Sequence, residues 1–211
     1  LASGFSFPQM AFKSIPGPKQ LKATRLSPGA TVALIAPCSP PSDEKLAKAI
    51  ANLNGLGFTI REGKNLRARL GYLAGNDDAR LDDLHWAFKD PAIDAVWCVR
   101  GGYGASRLLP RLDYKLIHRN PKPFIGYSDV TALHLAIHAQ TGLVTFHGPV
   151  AASDFPENTL AHFQAILMHG EAGHLIAAPT QDFEGDEYRP FTISPGKASG
   201  LLSGGNLALL S

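Results

Sequence analysis

Cysteine is scarce in this chain: its 211 residues include two, Cys38 and Cys98. Both sit inside apolar runs, so the sequence offers neither a disulfide framework nor the paired spacing of a metal-binding motif. An excess of one charge is also missing. Lys and Arg number 20 against 18 Asp and Glu, a formal net charge of +2, which leaves no electrostatic footprint for nucleic acid. No apolar run approaches the ~20 residues of a membrane-spanning helix. Neither nucleic acid nor a membrane is therefore expected as a partner. The rest of the composition is ordinary for a globular domain. Apolar residues make up 45% and charged residues 18%, too apolar for intrinsic disorder, and the chain is long enough to bury a core without staples.

Residues 1–30 are broken by Gly4, Pro8, Pro16, Pro18, Pro28 and Gly29 and carry no helical or strand period; residues 1–24 read as an extended lead-in. From Thr31 the pattern changes. Thr31-Val-Ala-Leu-Ile-Ala36 is a short β-prone run ended by Pro37, as suits a buried parallel strand. Ser42 offers an N-cap, with Asp43 and Glu44 in the first turn and Leu46, Ile50 and Leu53 on one face before Gly55 and Gly57, which predicts a helix. Further strands are predicted at 58–60, 93–99, 123–126 and 143–146. Further helices are predicted from the Asn76 cap to Phe88, from Asp129 to about Gln140, and over 156–168. Strand alternating with helix at this spacing argues for an α/β fold, a mainly parallel sheet flanked by helices. Residues 25–180 form that domain. Beyond Met168, glycine and proline break the pattern repeatedly, placing a boundary or crossing connection within 177–200 and making 181–211 a linker and the start of a second, truncated domain.

In parallel α/β sheets ligands bind where strand C-termini meet the next helices, and two such junctions stand out. Val99-Arg-Gly-Gly-Tyr-Gly-Ala-Ser106 comes directly after the third strand. Its glycines either serve a tight turn or let backbone N–H groups approach an anion. A dinucleotide fingerprint would require glycine at position 107, which is Arg107. The second junction is Ile125-Gly-Tyr-Ser-Asp-Val-Thr131. A serine at a sharp strand-to-helix turn has nucleophile-elbow geometry, yet the usual second glycine is Val130, and Ser128 is equally placed to be a helix N-cap. His134 and His138 lie one turn apart on the next helix, but the residue after His134 is Leu135 where a His-Glu-x-x-His motif needs glutamate, so they read as packing or surface residues rather than zinc ligands.

Taken together these stretches resemble the LD-carboxypeptidase family of serine peptidases, which includes muramoyltetrapeptide carboxypeptidase and the microcin C immunity proteins. The resemblance is carried by Leu26-Ser-Pro-Gly-Ala-Thr-Val-Ala-Leu-Ile-Ala-Pro37, Val99-Arg-Gly-Gly-Tyr-Gly104, Ile125-Gly-Tyr-Ser-Asp-Val-Thr-Ala-Leu133, His147-Gly-Pro149 and Leu202-Ser-Gly-Gly-Asn-Leu207, in that order. It implies that Ser128 is the nucleophile and that the backbones of Gly101, Gly102 and Asp129 bind the oxyanion. Arg100, Tyr103 and His147 are then substrate-binding. The implied reaction is hydrolysis of the amide between an L-configured residue and the terminal D-alanine of a murein tetrapeptide, in cytoplasmic cell-wall recycling, by a homodimer without metal or cofactor. The family's catalytic Glu and His come after the Gly-Gly-Asn-Leu segment, here Gly204 to Leu207. All eight histidines precede it, so the expectation is an enzyme fragment that is inactive alone. Two other readings stay open: an immunity hydrolase cleaving a peptidyl or aminoacyl nucleotide, and a non-catalytic binding domain.

Overall fold

A computed structural model describes residues 18–176, 192, 195–197 and 199–210. Five strands, β1 (Thr31–Ile35), β2 (Thr59–Glu62), β3 (Ala95–Cys98), β4 (Phe124–Gly126) and β5 (Phe146–His147), form one sheet in the order β2-β1-β3-β4-β5. Every pairing is parallel. The order reverses direction at β1, so the crevice beyond the C-terminal ends of β1 and β3 is the topological switch point, where open α/β sheets bind their ligands.

The helices are α1 (Asp43–Gly55), α2 (Asp77–Lys89), α3 (Tyr114–Arg119), α4 (Thr131–Thr141) and α5 (Glu157–Phe163). The expected caps form: Ser42 Oγ accepts from the Lys45 amide at 3.2 Å and Asn76 Oδ1 from the Ala79 amide at 2.8 Å. Because successive strand residues face opposite sides, the sheet sorts the core into two layers. Ala33, Ile35, Val96 and Cys98 pack against Leu84 and Phe88 of α2, Ile117 of α3 and Leu133 and Ile137 of α4. Val32, Leu34, Ala95 and Trp97 pack against Leu46 and Leu53 of α1 and Phe163 of α5.

Departures from expectation cluster at the edges. The strand expected over 143–146 forms at Phe146–His147, because Leu143 and Val144 are engaged by the incoming chain: Leu21 bridges Leu143, donates to Gly142 O and accepts from the Val144 amide, each at 2.8 Å. The described end of the expected lead-in, residues 18–24, meets the chain beside the sheet edge through this single bridge at Leu21. A 3₁₀ segment, Ala105–Arg111, and α3 were not expected. The helix expected over 156–168 is α5 followed by a π-type turn, Gln164–His169. Residues 1–17 and most of the expected boundary at 177–200 lie outside the described residues.

Candidate active site

At the end of β4 the chain turns sharply into α4. Tyr127 is extended, and Ser128 then adopts φ +64°, alone in positive φ among the described non-glycine residues. Left-handed backbone costs an L-residue ~1–2 kcal/mol, and such strain clusters at sites where a side chain must be aimed. Gly126 permits the turn: a Cβ there would stand 3.0 Å from Val130 Cγ1 and 3.1 Å from Cys98 Cβ. The N-cap alternative for Ser128 is overturned. Tyr127 precedes the 3₁₀ turn Ser128–Val130, which has no side-chain cap bond, and α4 begins only at Thr131. Ser128 Oγ, half-buried, has no hydrogen-bond partner among the described residues.

The glycine-rich loop after β3 lies directly against this serine. A Cβ on Gly101 would be 2.9 Å from Ser128 Cβ and 3.2 Å from Ser128 Oγ, so only glycine lets the loop backbone come this close. Gly102, at φ +127°, faces the β1 exit loop, where an added Cβ would be 2.2 Å from Ser39 Oγ. Ser39 Oγ accepts the Tyr103 amide at 3.2 Å, and the buried Asp129 carboxylate accepts the Ala105 amide at 2.9 Å. The loop is thereby pinned on both sides. The amides of Gly101, Gly102 and Asp129 keep no acceptor among the described residues. Free N–H groups beside a hydroxyl at a helix start are suited to developing negative charge.

Arg100 and Tyr103 flank the same loop. Arg100 donates from Nε to Gly101 O and from one terminal nitrogen to Pro40 O, each at 3.2 Å. Its other terminal nitrogen has no partner among the described residues. Tyr103 is exposed and meets Tyr72 edge-on at 5.5 Å between ring centroids. His147, on the β5 side, packs against Tyr127 at 6.3 Å and His134 at 6.0 Å. Sequence reasoning missed Ser39 and Tyr72. The signal available for Ser39 was its place just past the C-terminus of β1, at the switch point; nothing local marked Tyr72.

Competing chemistry is poorly provided for. Burial pushes the Cys38 and Cys98 thiols well above the ordinary range, so neither is a thiolate nucleophile. Among the described residues no three His, Cys, Asp or Glu side chains are grouped to hold a metal ion. His134 and His138 are packing residues, as expected: each ring contacts a backbone carbonyl, Gly126 O at 2.9 Å and Leu143 O at 3.2 Å. Desolvation lowers the His134 pKa to about 4. All eight histidines are described, and none is hydrogen bonded to Ser128. A cleft of about 930 Å³ beside β5 and α5 is lined by His134, His138, His147 and His162 but not by Ser128. No described helix is long and apolar enough to cross a membrane.

Known proteins share both the sequence and the fold. The chain is 43% identical over 196 residues to a protein of Bacillus subtilis strain 168 named "Probable murein peptide carboxypeptidase", covering 90% of this chain and 58% of that protein. It is 47% identical over 121 residues to the murein tetrapeptide carboxypeptidase of Pseudomonas aeruginosa, covering 57% of this chain and 39% of that protein. Among solved structures, the microcin C7 self-immunity protein MccF superposes with a TM-score of 0.66 at 32% identity, over 70% of this chain and 47% of MccF. The chain thus spans less than two thirds of each of these proteins. A family model described as the LD-carboxypeptidase N-terminal domain matches residues 32–148, from β1 through the glycine-rich loop and the Ser128 turn to β5. The chain belongs to the LD-carboxypeptidase family.

Proposed function

We propose that this chain carries the nucleophile and oxyanion-binding half of a serine carboxypeptidase that hydrolyses the amide between an L-configured residue and the terminal D-alanine of a murein tetrapeptide, in the cytoplasm. The observation that carries the reading is Ser128 at φ +64°, with its hydroxyl free and Gly101 against it. Ser128 Oγ attacks the scissile carbonyl. The amides of Gly101, Gly102 and Asp129 receive the oxyanion; losing one such donor typically costs ~3–4 kcal/mol of transition-state stabilisation. Arg100, with an uncommitted nitrogen beside the loop, suits a substrate ending in a carboxylate. Tyr103 and His147 border the substrate on either side. The names of the murein-acting relatives support this substrate class.

The serine needs a base, since an unassisted hydroxyl is a weak nucleophile at neutral pH. None of the eight histidines is bonded to it, and in this reading the family resemblance assigns the base and the carboxylate that orients it to residues beyond those described. The test is fluorophosphonate labelling and D-alanine release in the longest natural form of the chain. Both are expected to vanish in Ser128→Ala. A label indifferent to that change would overturn the nucleophile and favour a binding domain.

The likeness to the microcin C7 self-immunity protein favours one second reading, in which the same serine cleaves a peptidyl or aminoacyl nucleotide. Relative kcat/KM on a murein tetrapeptide and on such a nucleotide separates the two.

A further inference from the structure

The oxyanion loop rests on a buried cation. Arg80 lies on α2, and its side chain is fully buried. One terminal nitrogen of its guanidinium donates to two carbonyls from different loops, Pro37 O after β1 and Gly104 O after β3, both at 2.8 Å. The other terminal nitrogen bonds Asp77. Asp77 is in turn held by Arg107, from Nε at 3.0 Å and from a terminal nitrogen at 2.9 Å. Gly104 is shaped for this contact: at φ +109°, a Cβ would stand 2.8 Å from the Arg80 nitrogen and 2.5 Å from Leu73 Cδ2.

The two tethered carbonyls lie either side of the site. Pro37 is two residues before Ser39, which holds the Tyr103 amide and packs on Gly102. Gly104 precedes Ala105, whose amide is held by Asp129, the neighbour of Ser128. Arg80 therefore fixes the β1 exit loop and the glycine loop against each other. The amides of Gly101 and Gly102 lie in the glycine loop just before its Gly104 anchor, where Arg100 Nε also bonds Gly101 O at 3.2 Å. A planar guanidinium presents several donors in a fixed fork, whereas an ammonium is a point charge on a flexible stem.

We propose that Arg80, oriented by the Asp77–Arg107 pair, is a positioning residue for the oxyanion loop: it sets where the Gly101 and Gly102 amides stand relative to Ser128 without touching substrate. This rests on the reading of Ser128 as the nucleophile. A displacement of about 1 Å in such a constellation costs on the order of 100-fold in rate.

The experiment compares wild type, Arg80→Lys, Arg80→Ala and Asp77→Asn in the longest natural form. It measures thermal unfolding, kcat and KM for D-alanine release, and the rate of fluorophosphonate labelling. Below their unfolding transitions, the Arg80 variants are expected to lose about 10- to 100-fold in kcat, with labelling slowed in parallel and KM within a few-fold of wild type. Asp77→Asn, which leaves both carbonyl bonds possible, is expected to lose less. Folded Arg80 variants with wild-type kcat and labelling would overturn the proposal, as would a loss confined to KM. If neither Arg80 variant folds, Asp77→Asn decides, and an unchanged kcat there overturns it. A label that persists in Ser128→Ala would instead overturn the nucleophile reading, and this inference with it.

Discussion

Ser128 occupies a backbone conformation that its own side chain disfavours, at φ +64°, and that strain is a measurable property of the residue. Replacing it with glycine removes the Cβ that makes left-handed backbone unfavourable; replacing it with alanine does not. Ser128→Gly should therefore be more stable than Ser128→Ala by about 1 kcal/mol in urea unfolding, although both lose the hydroxyl. Equal stabilities would mean that the turn is not strained. Gly101 makes the complementary prediction. Its missing Cβ would fall 2.9 Å from Ser128 Cβ, so Gly101→Ala should displace the loop and lower kcat by about 100-fold while the rest of the fold unfolds at nearly its normal denaturant midpoint. His134 gives a pH test. Burial lowers its pKa to about 4, below the ~6.5 of an unfolded histidine. Between these values the unfolded chain binds the extra proton, so this contribution is intact above about pH 6.5 and is lost progressively as pH falls to 4, by up to about 3 kcal/mol. His134→Gln should flatten that part of the stability–pH curve, as read by unfolding at pH 7 and pH 4.5.

At the scale of elements, the capped helices were the most legible. Ser42 and Asn76 precede acidic first turns, and both side chains make the expected bonds to the third residue on. Asn76→Ala should lower unfolding stability by about 1 kcal/mol, and because α2 also carries Asp77 and Arg80 the change should reach the glycine-rich loop after β3. The central strands were legible because they are apolar on both faces. The segment 105–119 was not: Pro110 interrupts it, and two short helical pieces leave no sustained 3.6-residue period to read. The edge strand stands away from its expected place for a non-local reason. Leu143 is apolar and β-prone, but the backbone groups flanking it, Gly142 O and the Val144 amide, are claimed by Leu21, more than a hundred residues earlier. At the serine turn, residue types permitted both a cap and a nucleophile; the backbone dihedrals removed the cap, and no composition or spacing encodes those.

At the scale of the molecule, the sheet order and the site explain one another. Reversal at β1 opens the crevice between β1 and β3, and Ser39 and Gly102 meet there, with Ser128 delivered from the next strand. Gly101, Gly102, Ser128 and Asp129 were identifiable as motifs, whereas Ser39, Tyr72 and Arg80 become visible only when separate loops are brought together. The same assembly presents a hydroxyl and three amides without acceptors among the described residues but bonds no histidine to the serine. The 211 residues by themselves should therefore fold cooperatively yet release D-alanine far more slowly than the longest natural form, and equal rates would place the base within these residues. The most direct measurement of the central claim is D-alanine release from murein tetrapeptide by that longest form, wild type against Ser128→Ala. Wild type is predicted to release D-alanine and the variant none above background; release by the variant at the wild-type rate would contradict the assignment of Ser128 as nucleophile.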